Sequence, residues 1–431
     1  MIYPRFWWQE TGPLQEPLGL LYLVSVLKSN GFEVELVDFT IEDGFKNLKE
    51  KLQGAVLAGI SSSSALFGRA IWILRQIRQL KPSLPVVIGG PHPSADPISC
   101  LKAGFDFVQI GEGEKAIVQL ARSLSKGRSP QGIDGLLSQS DKKPASFPKR
   151  NFINNLNELP FPARELVNWK AYFAKGLVQI GISAIRGCPY QCRFCKPMQD
   201  WMFGRKLRKR SAESVAEEIE QAIKITGKNF FLFRDDNLSS LGRKWFEEFR
   251  AELERRKLKI YFSAQARVNE IDEELIVLMK SCGLVGLAFG AESGSQKILD
   301  YYQKKITVEE TIRAFDLCKK HNIGTHCFII LGAPVETKKD LELTIKLVER
   351  IKPDSVSISR LTPAPGTYLF EEAKKDGILN CSSWEDWDYY SNRAPIRLKH
   401  LEEKDLEEAE RAIKKLVPKA KMYFRKRAIA E

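Results

Sequence analysis

The sequence predicts an α/β protein of two domains followed by a helical extension. Over residues 1–128, short apolar runs alternate with helical patterns, and such alternation favours a parallel sheet covered by helices. After a connector containing several prolines, residues 129–172, the alternation resumes at longer spacing over residues 173–365. Residues 366–431 include a charged helical pattern. A chain of 431 residues is long enough for two or three domains.

The first domain is predicted to contain helices over 18–28 and 69–80, and strands over 34–39, 55–60, 86–88 and 107–110. A small hairpin is expected around 133–138 of the connector. Ligands of doubly wound sheets bind beyond the carboxyl ends of the strands, where loops of small residues occur in this sequence. Glycine and serine allow close backbone approach and offer N–H groups to a ligand. The candidate ligand-binding residues are Ser61, Ser62, Gly89, Gly90, Pro91, His92, Gly111, Glu112, Gly113 and Glu114.

The second domain is predicted to contain strands over 178–185, 229–234, 260–265, 285–291, 325–331 and 355–360. Neighbouring side chains on a strand point to opposite faces, so one of His326 and Cys327 could face the barrel interior, although core packing is favoured. Beyond this domain, Trp384, Trp387, Tyr389 and Tyr390 could line a substrate entrance or anchor the tail, and a helix is expected over 401–416.

The most specific pattern is C-x3-C-x2-C, formed by Cys188, Cys192 and Cys195, with Phe194 before the last cysteine. Three thiolates on one short loop can bind three irons of a [4Fe–4S] cube and leave the fourth iron open. Zinc sites, the alternative, usually take cysteine pairs and four ligands, and no nearby Cys or His completes such a set. The pattern therefore favours an iron–sulfur cluster bound by these three cysteines.

The run from Arg186 to Cys195 resembles the signature of the radical S-adenosylmethionine superfamily. This resemblance implies a partial (β/α)6 barrel in which the cluster reduces S-adenosylmethionine to a 5′-deoxyadenosyl radical. The small-residue loops of the first domain resemble those of the cobalamin-binding domain that precedes many such barrels. The predicted fold class is thus α/β, with an N-terminal Rossmann-like cobalamin-binding-type domain, a partial (β/α)6 radical S-adenosylmethionine barrel and a helical C-terminal tail.

The same resemblance assigns residues at the carboxyl ends of the barrel strands to S-adenosylmethionine. One of Asp235 and Asp236 would accept the methionine ammonium group, and helix capping by Asp236 is the alternative. The full set expected to contact S-adenosylmethionine is Phe194, Asp235, Asp236, Glu292, Ser293, Gly332 and Arg360. Arg193 and Lys196 are expected to add positive potential that favours cluster reduction.

Many cobalamin-binding domains carry D-x-H-x-x-G, whose histidine ligates cobalt from below. That motif is absent here, and His92 lies in a different run, Gly-Gly-Pro-His. We therefore expect cobalamin to bind without a histidine ligand from this domain. A loop histidine that hydrogen-bonds the backbone is the alternative for His92.

The composition of the chain indicates which partners and which cellular compartment to expect. The net charge of +13 favours anionic partners, and a thermophile-like surface explains it equally well. Basic residues are concentrated in 205–210 and 414–427, and the latter run could contact a membrane. The chain shows no signal-peptide pattern and no disulfide-like cysteine spacing, so a reducing cytoplasmic location is expected.

Three functions remain open from the sequence. The resemblance implies a cobalamin-dependent radical methyltransferase that acts on an unactivated carbon of a small molecule, lipid or peptide, with flavodoxin or ferredoxin as electron donor. The second is a radical enzyme without cobalamin that catalyses cyclisation or rearrangement, with the first domain holding substrate. The weakest is a non-catalytic iron–sulfur protein that binds nucleic acid or membranes, and nucleic acid is the less expected partner.

Overall fold

The computed structural model describes residues 1–4, 14–41, 44–141, 148–380 and 396–417. The aromatic residues expected between 384 and 390 and the basic segment 419–427 lie outside these ranges. Two six-stranded sheets organise the described chain. Among the helices of these ranges, none combines the length and the apolar character needed to cross a membrane.

The first sheet has the strand order β2-β1-β3-β4-β5-β6. Its strands β1 to β5 are parallel, and β6 pairs antiparallel with β5. The elements of this domain are β1 (Ile2–Tyr3), α1 (Leu18–Ser29), β2 (Val37–Asp38), α2 (Gly44–Lys51), β3 (Ala58–Ser61), α3 (Phe67–Leu80), β4 (Val86–Gly89), α4 (Pro91–Ala95), α5 (Pro97–Lys102), β5 (Phe107–Gln109), α6 (Glu114–Ser125) and β6 (Leu136–Ser138).

Helices cover both faces of this sheet. On β4, Val86 and Ile88 pack with α3 and α5, whereas Val87 between them packs with α6. This alternation explains why the strands read as continuous apolar runs in the sequence. The hairpin predicted around 133–138 is wrong, because β6 is a single strand that extends the first sheet along β5.

The second sheet has the order β14-β13-β12-β11-β10-β7, and all of its pairings are parallel. Its domain contains α7 (Trp169–Ala174), β7 (Ile180–Ile182), β8 (Ile185–Arg186), α8 (Met198–Phe203), β9 (Arg208–Lys209), α9 (Ala212–Thr226), β10 (Phe230–Phe233), α10 (Arg243–Arg255), β11 (Tyr261–Ala266), α11 (Glu273–Ser281), β12 (Leu284–Glu292), α12 (Gln296–Tyr301), α13 (Val308–Lys320), β13 (Gly324–Leu331), α14 (Lys338–Ile351), β14 (Ser355–Arg360), α15 (Tyr368–Lys375) and α16 (Glu403–Leu416).

The predicted partial barrel is confirmed, with one local difference at its first strand. Residues 178–185, predicted as one strand, form β7 and the start of β8. Strand β8 leaves the sheet and pairs antiparallel with β9. The chain therefore bends at this point and directs residues 187–195 over the end of the barrel.

The two faces of β13 differ as the strand alternation predicts. Cys327 is fully buried in the core between the sheet and the helices. His326 lies on the opposite face, where its Nδ1 is 2.7 Å from Ser355 Oγ and its Nε2 is 3.0 Å from Ser357 Oγ. Burial lowers the pKa of His326 to about 4, so this ring is neutral near pH 7.

Helix α16 is the helix expected over 401–416, and it packs on α14. Its apolar stripe, which includes Leu406, Ala409 and Ile413, joins the barrel core. Lys338 at the start of α14 pairs with Asp405 of α16 at 2.9 Å. The helical extension is thus part of the barrel's packing.

Candidate functional site

The cysteine loop lies directly after β8 and is held in a compact turn by its own backbone. The N–H groups of Cys195 and Lys196 donate to the Cys192 carbonyl at 3.0 and 2.9 Å. The buried Lys196 side chain donates to the Cys188 carbonyl at 2.8 Å, which ties the start of the loop to its end. All three cysteines carry free thiols.

The three thiols of this loop match the number of protein ligands in a [4Fe–4S] site with one open iron. Across the described ranges, no group of three or more His, Cys, Asp or Glu side chains is placed to bind one metal ion. In a [4Fe–4S] cube each thiolate binds a different iron, so the thiolates need not meet at a point. Burial raises the pKa of the Cys195 thiol, and a bound metal would reverse this by coordinating the thiolate. The three free thiols of one loop therefore fit a three-cysteine cluster site.

Arg193 and Lys196, which were expected to add positive potential beside the cysteines, each form an ion pair. Lys196 forms an ion pair with Asp200 and donates to Gln199 Oε1 at 2.6 Å. Arg193 forms an ion pair with Glu372. Lys196 nevertheless acts against the burial that raises the pKa of the Cys188 thiol, so the positive contribution of these two residues stays a prediction.

Arg267 and Lys304 also reach the cysteine loop, and the sequence interpretation missed both. Arg267, just after β11, places Nη1 3.7 Å from Cys192 Sγ. Lys304 places its Nζ 5.5 Å from the centre of the Phe194 ring. Neither residue belongs to a recognisable motif, because each reaches the loop from a distant part of the chain.

The adjacent carboxylates after β10 have different environments. Asp235 accepts hydrogen bonds from the N–H groups of Ala184 and Ile185, at 2.9 and 2.7 Å, and from Ser183 Oγ at 3.0 Å. Burial raises the pKa of Asp235 to about 7, although these donors act against that rise. Asp235 thus holds the bend between β7 and β8.

Asp236 remains directed at open space. Gln199 Nε2 donates to its Oδ2 at 3.3 Å, and the surrounding walls raise the pKa of this carboxyl by limiting its hydration. The short helical turn that follows begins after Asn237, with no side-chain cap. The helix-capping alternative for Asp236 is therefore wrong, and its carboxylate is available to a cation.

Glu292 and Ser293, at the end of β12, also have different surroundings. Glu292 has a left-handed backbone, with φ of 62°, a conformation that is uncommon outside glycine. Its Oε1 accepts from Lys304 Nζ at 2.7 Å. Ser293 is fully buried, and its Oγ lies 3.1 Å from Thr344 Oγ1 of α14. Glu292 lies beside the cysteine loop, whereas Ser293 fastens the strand end to a helix.

Gly332 lies in the turn expected after β13, and Glu336 holds this turn. The N–H groups of Gly332 and Ala333 donate to Glu336 Oε2 at 2.5 and 3.1 Å. Burial raises the pKa of Glu336 to about 7. Its second oxygen, Oε1, is buried without a hydrogen-bond partner among the described residues.

Arg360 has carboxylate partners on α16, and its expected contact with S-adenosylmethionine stays a prediction. Its Nε donates to Glu410 Oε1 of α16 at 3.0 Å, and it forms a second ion pair with Glu403. The side chain is almost fully buried. The structure thus places Arg360 between the last strand and α16, where it anchors that helix.

A cavity of about 540 Å³ lies beyond the carboxyl ends of β3, β4 and β5, as expected for a doubly wound sheet. Eight of the predicted residues line it: Ser61, Gly89, Gly90, Pro91, Gly111, Glu112, Gly113 and Glu114. Gly90 has φ of 110°, and a Cβ atom there would lie 2.8 Å from the Ser62 carbonyl oxygen. Only glycine fits this turn.

The barrel supplies the opposite wall of the cavity, through Arg186, Met202, Phe203 and Arg234. A second cavity, of about 230 Å³, shares Arg186, Phe203 and Arg234 with the first and is also lined by Asp235, Asp236 and Asn237. The cleft of the first domain therefore adjoins the carboxylates at the barrel end.

Glu112 and Glu114 connect the two domains through buried ion pairs. Glu112 accepts from Arg208 Nη1 and Nη2 at 2.9 and 2.8 Å, and it lies 3.1 Å from Arg186. Glu114 accepts from Arg186 Nη2 at 2.6 Å. Arg186 stands two residues before Cys188. The loop that carries Glu112 and Glu114 therefore holds the start of the cysteine loop in place.

His92 and Ser62 lie beneath the cavity surface and do not line it. His92 is fully buried, and its Nδ1 and Nε2 lie 3.1 Å from the Oγ atoms of Ser64 and Ser99. Its ring stacks on Phe67, and burial lowers its pKa to about 3. His92 thus hydrogen-bonds two serine side chains, whereas the alternative predicted from the sequence was a hydrogen bond to the backbone.

Comparison with known proteins agrees with this geometry. Residues 182–348 match the family model of the radical SAM superfamily, and residues 9–121 match that of the B12 binding domain. An uncharacterized methyltransferase of Pyrococcus horikoshii is 31% identical over 397 residues, which cover 91% of this chain and 84% of that protein. An anaerobic magnesium-protoporphyrin IX monomethyl ester cyclase of Rubrivivax gelatinosus is 29% identical, over 83% of this chain and 66% of the cyclase.

A solved structure shares the two-domain fold. The radical S-adenosylmethionine methyltransferase TsrM from Kitasatospora setae, with cobalamin and a [4Fe–4S] cluster bound, superposes with a TM-score of 0.75. The match covers 97% of this chain and 88% of TsrM at 20% identity. At this identity the likeness concerns the fold.

Proposed function

Because the chain belongs to the radical S-adenosylmethionine superfamily, in the branch with a B12-binding domain, its cofactors are a [4Fe–4S] cluster, S-adenosylmethionine and cobalamin, and we propose that it methylates an unactivated carbon of a small molecule. The observation that carries the proposal is the meeting of two cavities. The cleft of the first domain and the carboxylates at the barrel end share Arg186, Phe203 and Arg234.

The residues proposed to bind the cluster and S-adenosylmethionine belong to the second domain, and those proposed to bind cobalamin belong to the first. Cys188, Cys192 and Cys195 would bind three irons, and Asp236 would accept the ammonium group of S-adenosylmethionine. Ser61, Gly89, Gly90 and Gly111, with the neighbouring loop residues, would hold cobalamin against the barrel. When bound, the cluster supplies one electron to S-adenosylmethionine, and cobalamin carries a methyl group.

Ring closure is the second candidate, because the relative from Rubrivivax gelatinosus is named a cyclase. The co-products distinguish the two reactions. Methylation consumes one S-adenosylmethionine as methyl donor and another as radical source, so it yields both S-adenosylhomocysteine and 5′-deoxyadenosine. Ring closure started by hydrogen abstraction yields 5′-deoxyadenosine without stoichiometric S-adenosylhomocysteine.

The test is anaerobic reconstitution with iron, sulfide and hydroxocobalamin, followed by reduction and addition of S-adenosylmethionine with a deuterated methyl group. Mass spectrometry would follow both co-products and the label in candidate acceptors. Formation of both co-products only when cobalamin is present supports methylation. Formation of 5′-deoxyadenosine alone, with or without cobalamin, contradicts it and favours ring closure or rearrangement.

The partners follow from the chemistry. The cluster needs a one-electron donor, for which we propose flavodoxin or ferredoxin. A lipid or peptide acceptor remains part of the proposal, as does peripheral contact with a membrane through the basic C-terminal segment. Comparing the rate of 5′-deoxyadenosine formation with each reduced carrier and with dithionite tests the first point, and vesicle co-sedimentation at low salt tests the last.

Replacing Asp236 with asparagine is expected to weaken S-adenosylmethionine binding while the cluster still assembles. A charge-assisted hydrogen bond contributes about 1.5–3 kcal/mol, so the dissociation constant should rise roughly 10- to 100-fold. Equilibrium dialysis of the reconstituted protein measures it. Asp316→Asn, on the exposed surface, is the control. Unchanged affinity in Asp236→Asn would remove Asp236 from the binding site.

Cobalamin is expected to bind without a histidine ligand from the first domain, because both ring nitrogens of His92 are engaged by serines. The check compares cob(II)alamin-loaded protein made with ¹⁵N-histidine and with unlabelled histidine by electron paramagnetic resonance. The nitrogen splitting of the cobalt lines should be identical in the two samples. A change on labelling would mean that a histidine ligates cobalt and would contradict this arrangement.

A further inference from the structure

We propose that Arg267 is a positioning residue that raises the reduction potential of the cluster through Cys192. The proposal rests on the cluster site of the proposed function and assigns a role to a residue outside the cysteine motif. Arg267 is separated from Cys192 by 75 positions in the chain. It comes to the loop because β11 ends beside it.

The guanidinium group is buried and close to a cysteine sulfur. Arg267 is 7% exposed, and its Nη1 lies 3.7 Å from Cys192 Sγ within hydrogen-bonding geometry. Cys192 is itself buried. A buried charge costs solvation free energy unless it has compensating contacts, so the placement of this group is informative.

Its other contacts fix the guanidinium plane with neutral groups. The plane stacks on Tyr190, with Cζ 3.6 Å from the ring centre. Nη2 donates to the Lys304 carbonyl, and Nε donates to Asn269 Oδ1 at 3.2 Å. A planar group held on one face and at two edges keeps its Nη1 donor aimed at the sulfur.

Arg267 differs from the other cations around the loop in having no carboxylate partner among the described residues. Lys196 pairs with Asp200, Arg193 with Glu372 and Lys304 with Glu292. No ion pair of Arg267 occurs within the described ranges, and its acceptors there are carbonyl and amide oxygens and the sulfur. Glu270, the carboxylate nearest in sequence, accepts instead from Tyr190, Asn237, Ser239 and Ser240.

The physical effect follows from charge. One-electron reduction adds negative charge to the cluster and its thiolates, and hydrogen bonds to the sulfurs are among the factors that set its potential. A fixed positive charge in a poorly hydrated site stabilises the reduced form more than the oxidised form. Arg267 therefore makes the cluster easier to reduce and holds the Cys192 thiolate in place.

The experiment compares wild-type protein with Arg267→Gln and Arg267→Lys, each reconstituted as the full chain. Arg350→Gln, whose arginine pairs with Asp316 on the exposed surface, is the matched control. Iron and sulfide content establishes that the cluster is assembled. The midpoint potential is then measured by a redox titration followed by electron paramagnetic resonance, with no substrate present.

We expect a lower midpoint potential in Arg267→Gln, a smaller decrease in Arg267→Lys and no change in Arg350→Gln. If Arg267→Gln assembles no cluster, the proposal is tested by comparing the midpoint potential of Arg267→Lys with that of the wild type. Lysine keeps the positive charge but loses the stacked, forked geometry of the guanidinium group. Equal potentials in every variant that assembles a full cluster would overturn the proposal. A lower potential in Arg267→Gln, together with a wild type that produces no S-adenosylhomocysteine, would support this inference and contradict methylation. A wild-type protein that assembles no cluster would overturn both proposals.

Discussion

Replacing Cys192 with alanine is expected to abolish the visible absorbance of the cluster and the formation of 5′-deoxyadenosine. Cys192 lies at the centre of the loop: its carbonyl accepts from two backbone N–H groups, and its sulfur is next to Arg267. Alanine leaves two thiolates on the loop, so a second iron of the cube would lack a protein ligand in addition to the iron that is already open. Absorbance, iron content and chromatographic assay of 5′-deoxyadenosine measure the outcome.

A buried cysteine outside the loop gives the matched control for this experiment. Cys318 is fully buried on α13 and packs in the barrel core. Cys318→Ala should lose some stability, by about 1–2 kcal/mol from the deleted buried group, and keep the full cluster. Equal cluster content in Cys192→Ala and Cys318→Ala would refute the assignment of the cysteine loop.

Replacing Glu112 with glutamine is expected to produce the largest loss of stability among the residues of the cleft. The side chain of Arg208 is almost fully buried, and Glu112 is its carboxylate partner. Glutamine keeps the size of the side chain and removes its charge, which leaves the Arg208 charge buried without a carboxylate partner and with only the Ile153 and Phe203 carbonyls as strong acceptors. Breaking a buried pair in this way costs about 3–5 kcal/mol.

The loss should extend to the cysteine loop, because Glu112 also contacts Arg186. Thermal unfolding and chemical denaturation measure the stability, and iron content after reconstitution measures the loop. Glu213→Gln, on the exposed face of α9, should change stability by no more than about 0.5 kcal/mol. In the double variant Glu112→Gln with Arg208→Met, part of the stability should return because the uncompensated charge is gone. A Glu112→Gln protein as stable as Glu213→Gln would contradict the role of this ion pair.

The sequence was sufficient for the order of the strands along the chain and for the grouping of the three cysteines on one loop. Apolar runs and their alternation are local, and the parallel strands of both sheets lie close to where these patterns put them. The three cysteines are separated by three and two residues, so one loop brings them together without help from the rest of the fold. The loops of small residues were located for the same reason, since they follow directly from the strand ends.

The pairing of charged side chains was not predictable from the sequence. Asp235 and Asp236 are adjacent and chemically identical, yet the bend after β7 occupies one and leaves the other open. Arg360 follows its strand as expected, but the docking of α16 gives it carboxylate partners.

Contacts between distant parts of the chain depend on tertiary structure for the same reason. Glu112 and Arg208 are 96 residues apart, and Arg267 and Cys192 are 75 residues apart. The sequence by itself determined the fold of each domain and placed on one loop the three cysteines that we propose as iron ligands, because these features depend on periodicity and short spacing. Only the tertiary structure decided which charges face each other, because a buried ion pair depends on how separately formed elements pack.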